Sequence, residues 1–239
     1  MQSNEKTIPA SRFRKELRSK IRPEKAAFYP RFFKTGPGQY GEGDRFLGVT
    51  VPDIRTVGKV ERDRIAISVI KELLQDEFHE CRFLGLVLLI RKMEKADETM
   101  SEKLRNLYLS NLQYVNNWDL VDLSCGPILG PVCLQDQGLL FELSRSGNLW
   151  KERISVVTNL YLIRNDIMDP ALKLCKSFLN HPHDLIHKAC GWVLRELGKK
   201  DITRLRSFLN IYASEMPRTM LRYSIEKLGA SERAIYMKK

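Results

Sequence analysis

No two of the five cysteines in this 239-residue chain form a C-x-x-C pair, and their number is odd. Cys81, Cys125, Cys133, Cys175 and Cys190 sit mostly among apolar neighbours, the pattern of reduced, buried thiols in a cytoplasmic protein. That pattern excludes a disulfide framework and a thiolate zinc site. Long apolar runs are also missing. The longest strongly apolar stretch, residues 83–90, falls well short of the roughly 20 residues a membrane helix needs. The polar N-terminal residues lack the apolar centre of a signal peptide, so no membrane association is expected. Walker loop, dinucleotide fingerprint, H-E-x-x-H and nucleophile elbow are all absent, and neither a cofactor nor a metal is expected.

What is present in excess is positive charge, +11 in all, and it is unevenly placed. Residues 1–34 hold ten Lys and Arg against three acids, and residues 199–239 hold ten against four, which leaves the middle of the chain slightly acidic. Two basic ends suit a long polyanion crossed at several points, with counterion release supplying affinity. An ordinary basic surface explains the same charge.

Apolar residues recur at helical spacing almost everywhere after residue 60, as in Ile65, Ile70, Leu73 and Leu74. The spacing predicts helices at 11–21, 24–34, 52–59, 61–76, 78–93, 98–114, 117–133, 138–145, 149–164, 168–180, 183–198, 201–214 and 217–228, and no strand pair. Pro127 and Pro131, with Gly126 and Gly130, predict that the 117–133 helix kinks or breaks after two turns. Residues 35–50 contain six glycines and prolines and read as a connector or a ligand-contacting loop. Helical pairs recurring every 30–40 residues predict an all-α fold, a curved superhelical array of HEAT-like antiparallel repeats forming one domain over 1–239.

Three segments hold residues suited to chemistry. In Asn117-Trp118-Asp119-Leu120-Val121-Asp122 the four-residue step places Trp118 and Asp122 on one helical face, with Asp119 about 100° away. A packing anchor with favourable N-terminal charges would look the same. In 188–199, steps of four, three and four put Lys188, Trp192, Arg195 and Lys199 in one stripe, backed by Ala189, Val193 and Leu197. Such a stripe suits a phosphate backbone; a solvated helix whose Trp is covered by Lys and Arg stems is the plain alternative. Arg153, in Trp150-Lys151-Glu152-Arg153, borders a buried face as an interhelical ion-pair former or a phosphate clamp. His181, His183 and His187 read as helix initiation more simply than as a metal site.

Together with Phe46-Leu47-Gly48-Val49-Thr50-Val51-Pro52-Asp53-Ile54-Arg55 and Lys188-Ala189-Cys190-Gly191-Trp192-Val193-Leu194-Arg195, these segments resemble the AlkD-type DNA alkylation-repair glycosylases over nearly the whole chain. The resemblance implies hydrolysis of the N-glycosidic bond of positively charged N3- or N7-alkylated purines in duplex DNA. It implies a catalytic Asp122 with indoles at Trp118 and Trp192, and DNA-binding residues Arg153, Arg195, Lys199 and Lys188. Tyr40 matches a further aromatic across a loop of slightly different length, and Tyr161 stands where a relative has a lysine. It also implies that the base need not enter a deep pocket, in contrast to enzymes that flip their target. A monomer in the cytoplasm with no obligate protein partner is expected. The competing readings are a non-catalytic helical-repeat binder of DNA or structured nucleic acid, and a scaffold for protein partners.

Overall fold

The computed structural model describes residues 7–238, so residues 1–6 of the basic N-terminal stretch and Lys239 lie outside the described residues. Among those described, two short 3-10 helices (Arg62–Arg64 and Leu112–Tyr114) and fifteen α-helices account for the regular structure: α1 (Ala10–Arg18), α2 (Pro23–Phe32), α3 (Val51–Val57), α4 (Ile67–Leu74), α5 (His79–Met93), α6 (Glu98–Leu109), α7 (Trp118–Cys133), α8 (Gly138–Leu143), α9 (Leu149–Val157), α10 (Asn159–Arg164), α11 (Asp169–Ser177), α12 (Asp184–Lys200), α13 (Ile202–Tyr212), α14 (Arg218–Ser224) and α15 (Ala230–Lys238). The one β pairing among them is an isolated bridge between Arg45 and Phe78. The chain is an all-α helical-repeat protein.

Two compact units divide it, the first ending at Ser124 and the second beginning at Cys125. In the first unit α4 packs along α5, and α1 and α3 close over the same helix. Leu84, Leu86, Leu88 and Leu89 of α5 and Ile70, Leu73 and Leu74 of α4 are fully buried. Gly85 permits the approach, since a Cβ there would lie 3.0 Å from the Leu74 backbone nitrogen. In the second unit α12 is central, packed against α9, α13 and α14. Ile186, Ala189, Cys190, Val193, Leu194 and Leu197 form its buried side, the face expected from the periodicity. Gly191 lets α14 cross closely, because a Cβ would stand 2.5 Å from the Tyr223 Cβ and 2.6 Å from the Met220 carbonyl oxygen.

The five cysteines are buried and none forms a disulfide. Burial pushes the Cys81 and Cys175 thiols upward, so neither is a reactive thiolate at neutral pH.

Several boundaries differ from expectation for identifiable reasons. Of the kink or break expected after two turns of α7, the break does not occur, and Trp118–Cys133 is one helix with Pro127 and Pro131 inside it. The two prolines stand four residues apart, so the hydrogen bonds they forgo lie on one side of the helix. The expected helix over 149–164 divides at Thr158. There the Thr158 hydroxyl donates to the Ile154 carbonyl at 2.7 Å and the Asn159 amide donates to the Ser155 carbonyl at 2.8 Å, competing for helical acceptors. Helix α15 was not expected, because it buries only Tyr236 and so leaves little periodic apolar signal.

Candidate functional site

The first unit contains an aromatic cavity of about 330 Å3 built from α2, the glycine-rich segment after it, and the starts of α5 and α7. Four aromatics at adjacent and one-turn spacings on and just after α2, namely Phe28, Tyr29, Phe32 and Phe33, form one wall, and Phe46, Phe83 and Trp118 complete the ring surfaces. Phe33 stacks on Phe46 with centroids 4.9 Å apart and on Trp118 at 5.5 Å. Helix α2 buries no residue completely; Phe28 is 50% exposed and Phe32 46% exposed at the cavity.

Beneath the rings lies a buried ionic chain. His79 Nδ1 bonds the Asp44 carboxylate at 2.7 Å and Nε2 bonds the Asp119 carboxylate at 2.8 Å. Since both ring nitrogens face acceptors, both must carry protons, and His79 is an imidazolium. Burial opposes that charge, but attraction and hydrogen bonds from Asp119 and Asp44 lift the ring's pKa to about 9. For Asp44, burial is outweighed by His79 and Arg82, which hold its carboxyl below the ordinary range. Arg82 donates to Asp44 at 2.5 Å and to the carbonyls of Asp76 and Glu77. Adjacent Glu80 accepts from the backbone N–H groups of Leu47, Gly48 and Val49 at 2.9, 2.7 and 3.1 Å. The segment over 35–50 is therefore a built part of the cavity: it supplies Asp44 and Phe46 and is fixed to α5 by a buried carboxylate. Gly48, at φ +89°, meets the requirement for a left-handed residue against α2.

The expected site residues fall in both units. Trp118 opens α7 on the cavity wall, while half-buried Asp122 stands one turn later. Asp119, the other acid of that segment, is engaged by His79 and caps its own turn through Leu120 N–H at 2.9 Å. Tyr40 is half-buried in the glycine-rich segment and does not line the cavity. In the second unit, Arg153 is buried on α9, and its guanidinium donates to the Leu185 carbonyl at the start of α12 at 2.7 Å. On α12, Trp192 and Arg195 are partly exposed and Lys199 is exposed. Lys188 pairs with Asp184 at 2.8 Å, Arg195 with Glu226, and Lys199 with Glu196 at 2.7 Å. The three histidines serve the helix start. His183 Nδ1 accepts from Leu185 N–H at 3.1 Å, His181 bonds Glu152 at 3.1 Å, and His187 Nε2 donates to the His181 carbonyl at 2.6 Å.

Sequence reasoning missed the His79 chain and the aromatic cavity. The readable signal was the Phe28, Tyr29, Phe32, Phe33 cluster, dense for a chain with 9% aromatics. His79 had none, because its partners lie 35 and 40 residues away in sequence.

The sequence pattern of the DNA alkylation repair enzymes matches residues 13–228. The chain belongs to that family. Membership gives this repair enzyme a role in the repair of alkylated DNA. Among solved structures it is similar to "Predicted DNA alkylation repair enzyme from Enterococcus faecalis", with a TM-score of 0.70 and 17% identity over 88% of this chain and 98% of that one. At that identity the likeness bears on the fold. No curated protein matches the chain. Among the described residues, no helix is long and apolar enough to cross a membrane.

Proposed function

We propose that this family member is a DNA glycosylase that hydrolyses the N-glycosidic bond of cationic N3- or N7-alkylated purines in duplex DNA. The observation that carries the reading is the division of labour at the start of α7. Asp119 is held by buried His79, while Asp122 shares the helical face of Trp118 one turn further on. An alkylated purine already bears positive charge, so its departure needs no strong general acid. What the protein must supply is a carboxylate to stabilise the developing oxocarbenium character of the sugar and to position water, and Asp122 takes that role. The indole of Trp118 offers a face to the cationic sugar, contributing about 0.5–2 kcal/mol.

Arg195, Lys199 and Lys188 contact the phosphates in this reading. Their present carboxylate partners Asp184 and Glu226 are exposed and Glu196 is partly so, and pairs at the surface are worth roughly 0–1 kcal/mol, so phosphate can replace them at small cost. Arg153 acts by holding the start of α12 in place. The protein acts as a single domain and a cofactor-free monomer in the cytoplasm.

Incubation with methylated duplex DNA in a chelating buffer, followed by chromatography of the supernatant, tests the activity. Release of free 7-methylguanine or 3-methyladenine is expected. DNA binding that weakens with salt, without release, would instead identify a non-catalytic binder.

A further inference from the structure

A groove of about 410 Å3 lies on the second unit, lined by α11 and α13, and the glycosylase reading does not use it. Both helices meet α12 away from the stripe of Lys188, Trp192, Arg195 and Lys199. The Cys175 thiol of α11 donates to the Cys190 carbonyl at 3.7 Å, and Leu205 of α13 packs directly on Gly198. We propose that the groove is a docking site for a short acidic segment of a partner protein, which inserts an apolar side chain beside Ile211 and sets carboxylates against Lys173 and Lys176.

Two observations carry the choice of occupant. The first is apolar surface left open to water. Ile211 is 63% exposed, more than any other large apolar side chain among the described residues, and it lines the groove with Leu172 and Tyr212. Apolar surface rimmed by charge marks a place where another chain is received. The second is the charge of that rim. Lys173 and Lys176 stand three residues apart on α11, hence on one face, and both are exposed. Neither has a carboxylate partner among the described residues; Lys176 lies instead over the Tyr212 ring, 5.5 Å from its centroid. The groove's own carboxylate, Asp201, is engaged by Arg204, which also pairs with Asp169. Two lysines are thus left uncompensated beside apolar surface, and they complement an acidic chain.

Length limits the occupant further. From Arg204 to Tyr212 helix α13 advances about 12 Å, the reach of about three to four extended residues, so the groove takes a linear segment rather than a folded domain. Nucleic acid fits less well. Its phosphates would find the lysines but bring nothing to Leu172 and Ile211, and the Tyr212 ring is already flanked by Lys176 and by Phe208, the latter with centroids 4.9 Å apart.

Fluorescence anisotropy of the full-length protein with a fluorescein-labelled hexapeptide, Glu-Asp-Leu-Phe-Asp-Glu, tests the groove. One control peptide carries Ser-Ser in place of Leu-Phe, and another carries Gln and Asn in place of the acids. The parent peptide should bind at least about tenfold more tightly than either control. Ile211→Ser, and Lys173→Ala combined with Lys176→Ala, should each weaken it about fivefold or more, with melting temperatures unchanged because all three side chains are exposed. Saturating undamaged duplex should leave the peptide's affinity within about twofold, since the stripe on α12 lies elsewhere. No binding of the parent peptide, equal binding of either control, or unchanged affinity in both variants overturns the proposal. Variants that weaken duplex binding and spare the peptide, or a duplex that displaces the peptide, overturn it as well and make the groove a nucleic-acid surface. The glycosylase reading stands or falls separately, on base release.

Discussion

Replacing His79 with glutamine tests the buried ionic chain that fixes the start of α7. In the wild type, the imidazolium donates to Asp44 and Asp119, and its pKa is raised from 6.5 to about 9. At about 1.4 kcal/mol per pH unit, that difference is worth roughly 3 kcal/mol below pH 6.5 and somewhat less at neutral pH. Because the folded-state value is raised, the contribution is complete below pH 6.5 and is lost as pH climbs through about 9. His79→Gln also leaves two buried carboxylates without their cation, so a loss of about 3 kcal/mol is expected at neutral pH. For a chain of this length that loss corresponds to a melting temperature lower by about 6–12 °C. Urea unfolding, followed by tryptophan fluorescence near pH 7 and again near pH 9.5, provides the measurement. The gap between wild type and variant should shrink to under about 1 kcal/mol at the higher pH. A gap of the same size at both pH values would refute a charged His79.

Glu80→Gln should cost about 2 kcal/mol, since a buried carboxylate holding three backbone N–H groups becomes an amide with one acceptor oxygen; thermal unfolding measures it. Gly191→Ala should destabilise the second unit by about 2–3 kcal/mol, because backbone of α14 stands where the methyl would go, and its urea midpoint should fall. Arg195→Ala and Lys199→Ala should weaken binding to undamaged duplex and together lower the slope of log affinity against log salt by about 1–2, with little change in melting temperature.

Helical periodicity made most of the fold legible, since residues such as Ala189, Val193 and Leu197 repeat along one face and the same face is buried. Family pattern and spacing also single out Trp118, Asp122, Trp192 and Arg195 as candidates, because each belongs to a local string. The cavity was not legible for the opposite reason. Asp44, His79 and Asp119 come from three separate segments, and only folding brings them together. The prolines of α7 do not end the helix, because two lost hydrogen bonds on one side can be carried within a continuous helix.

The most direct test of the account is single-turnover release of 7-methylguanine from methylated duplex by wild type and by Asp122→Asn, with DNA affinity measured alongside. The variant should lose at least about a hundredfold in rate while its DNA affinity stays within about threefold, since binding comes from the cations and indoles. An Asp122→Asn protein that releases the base at the wild-type rate would contradict it.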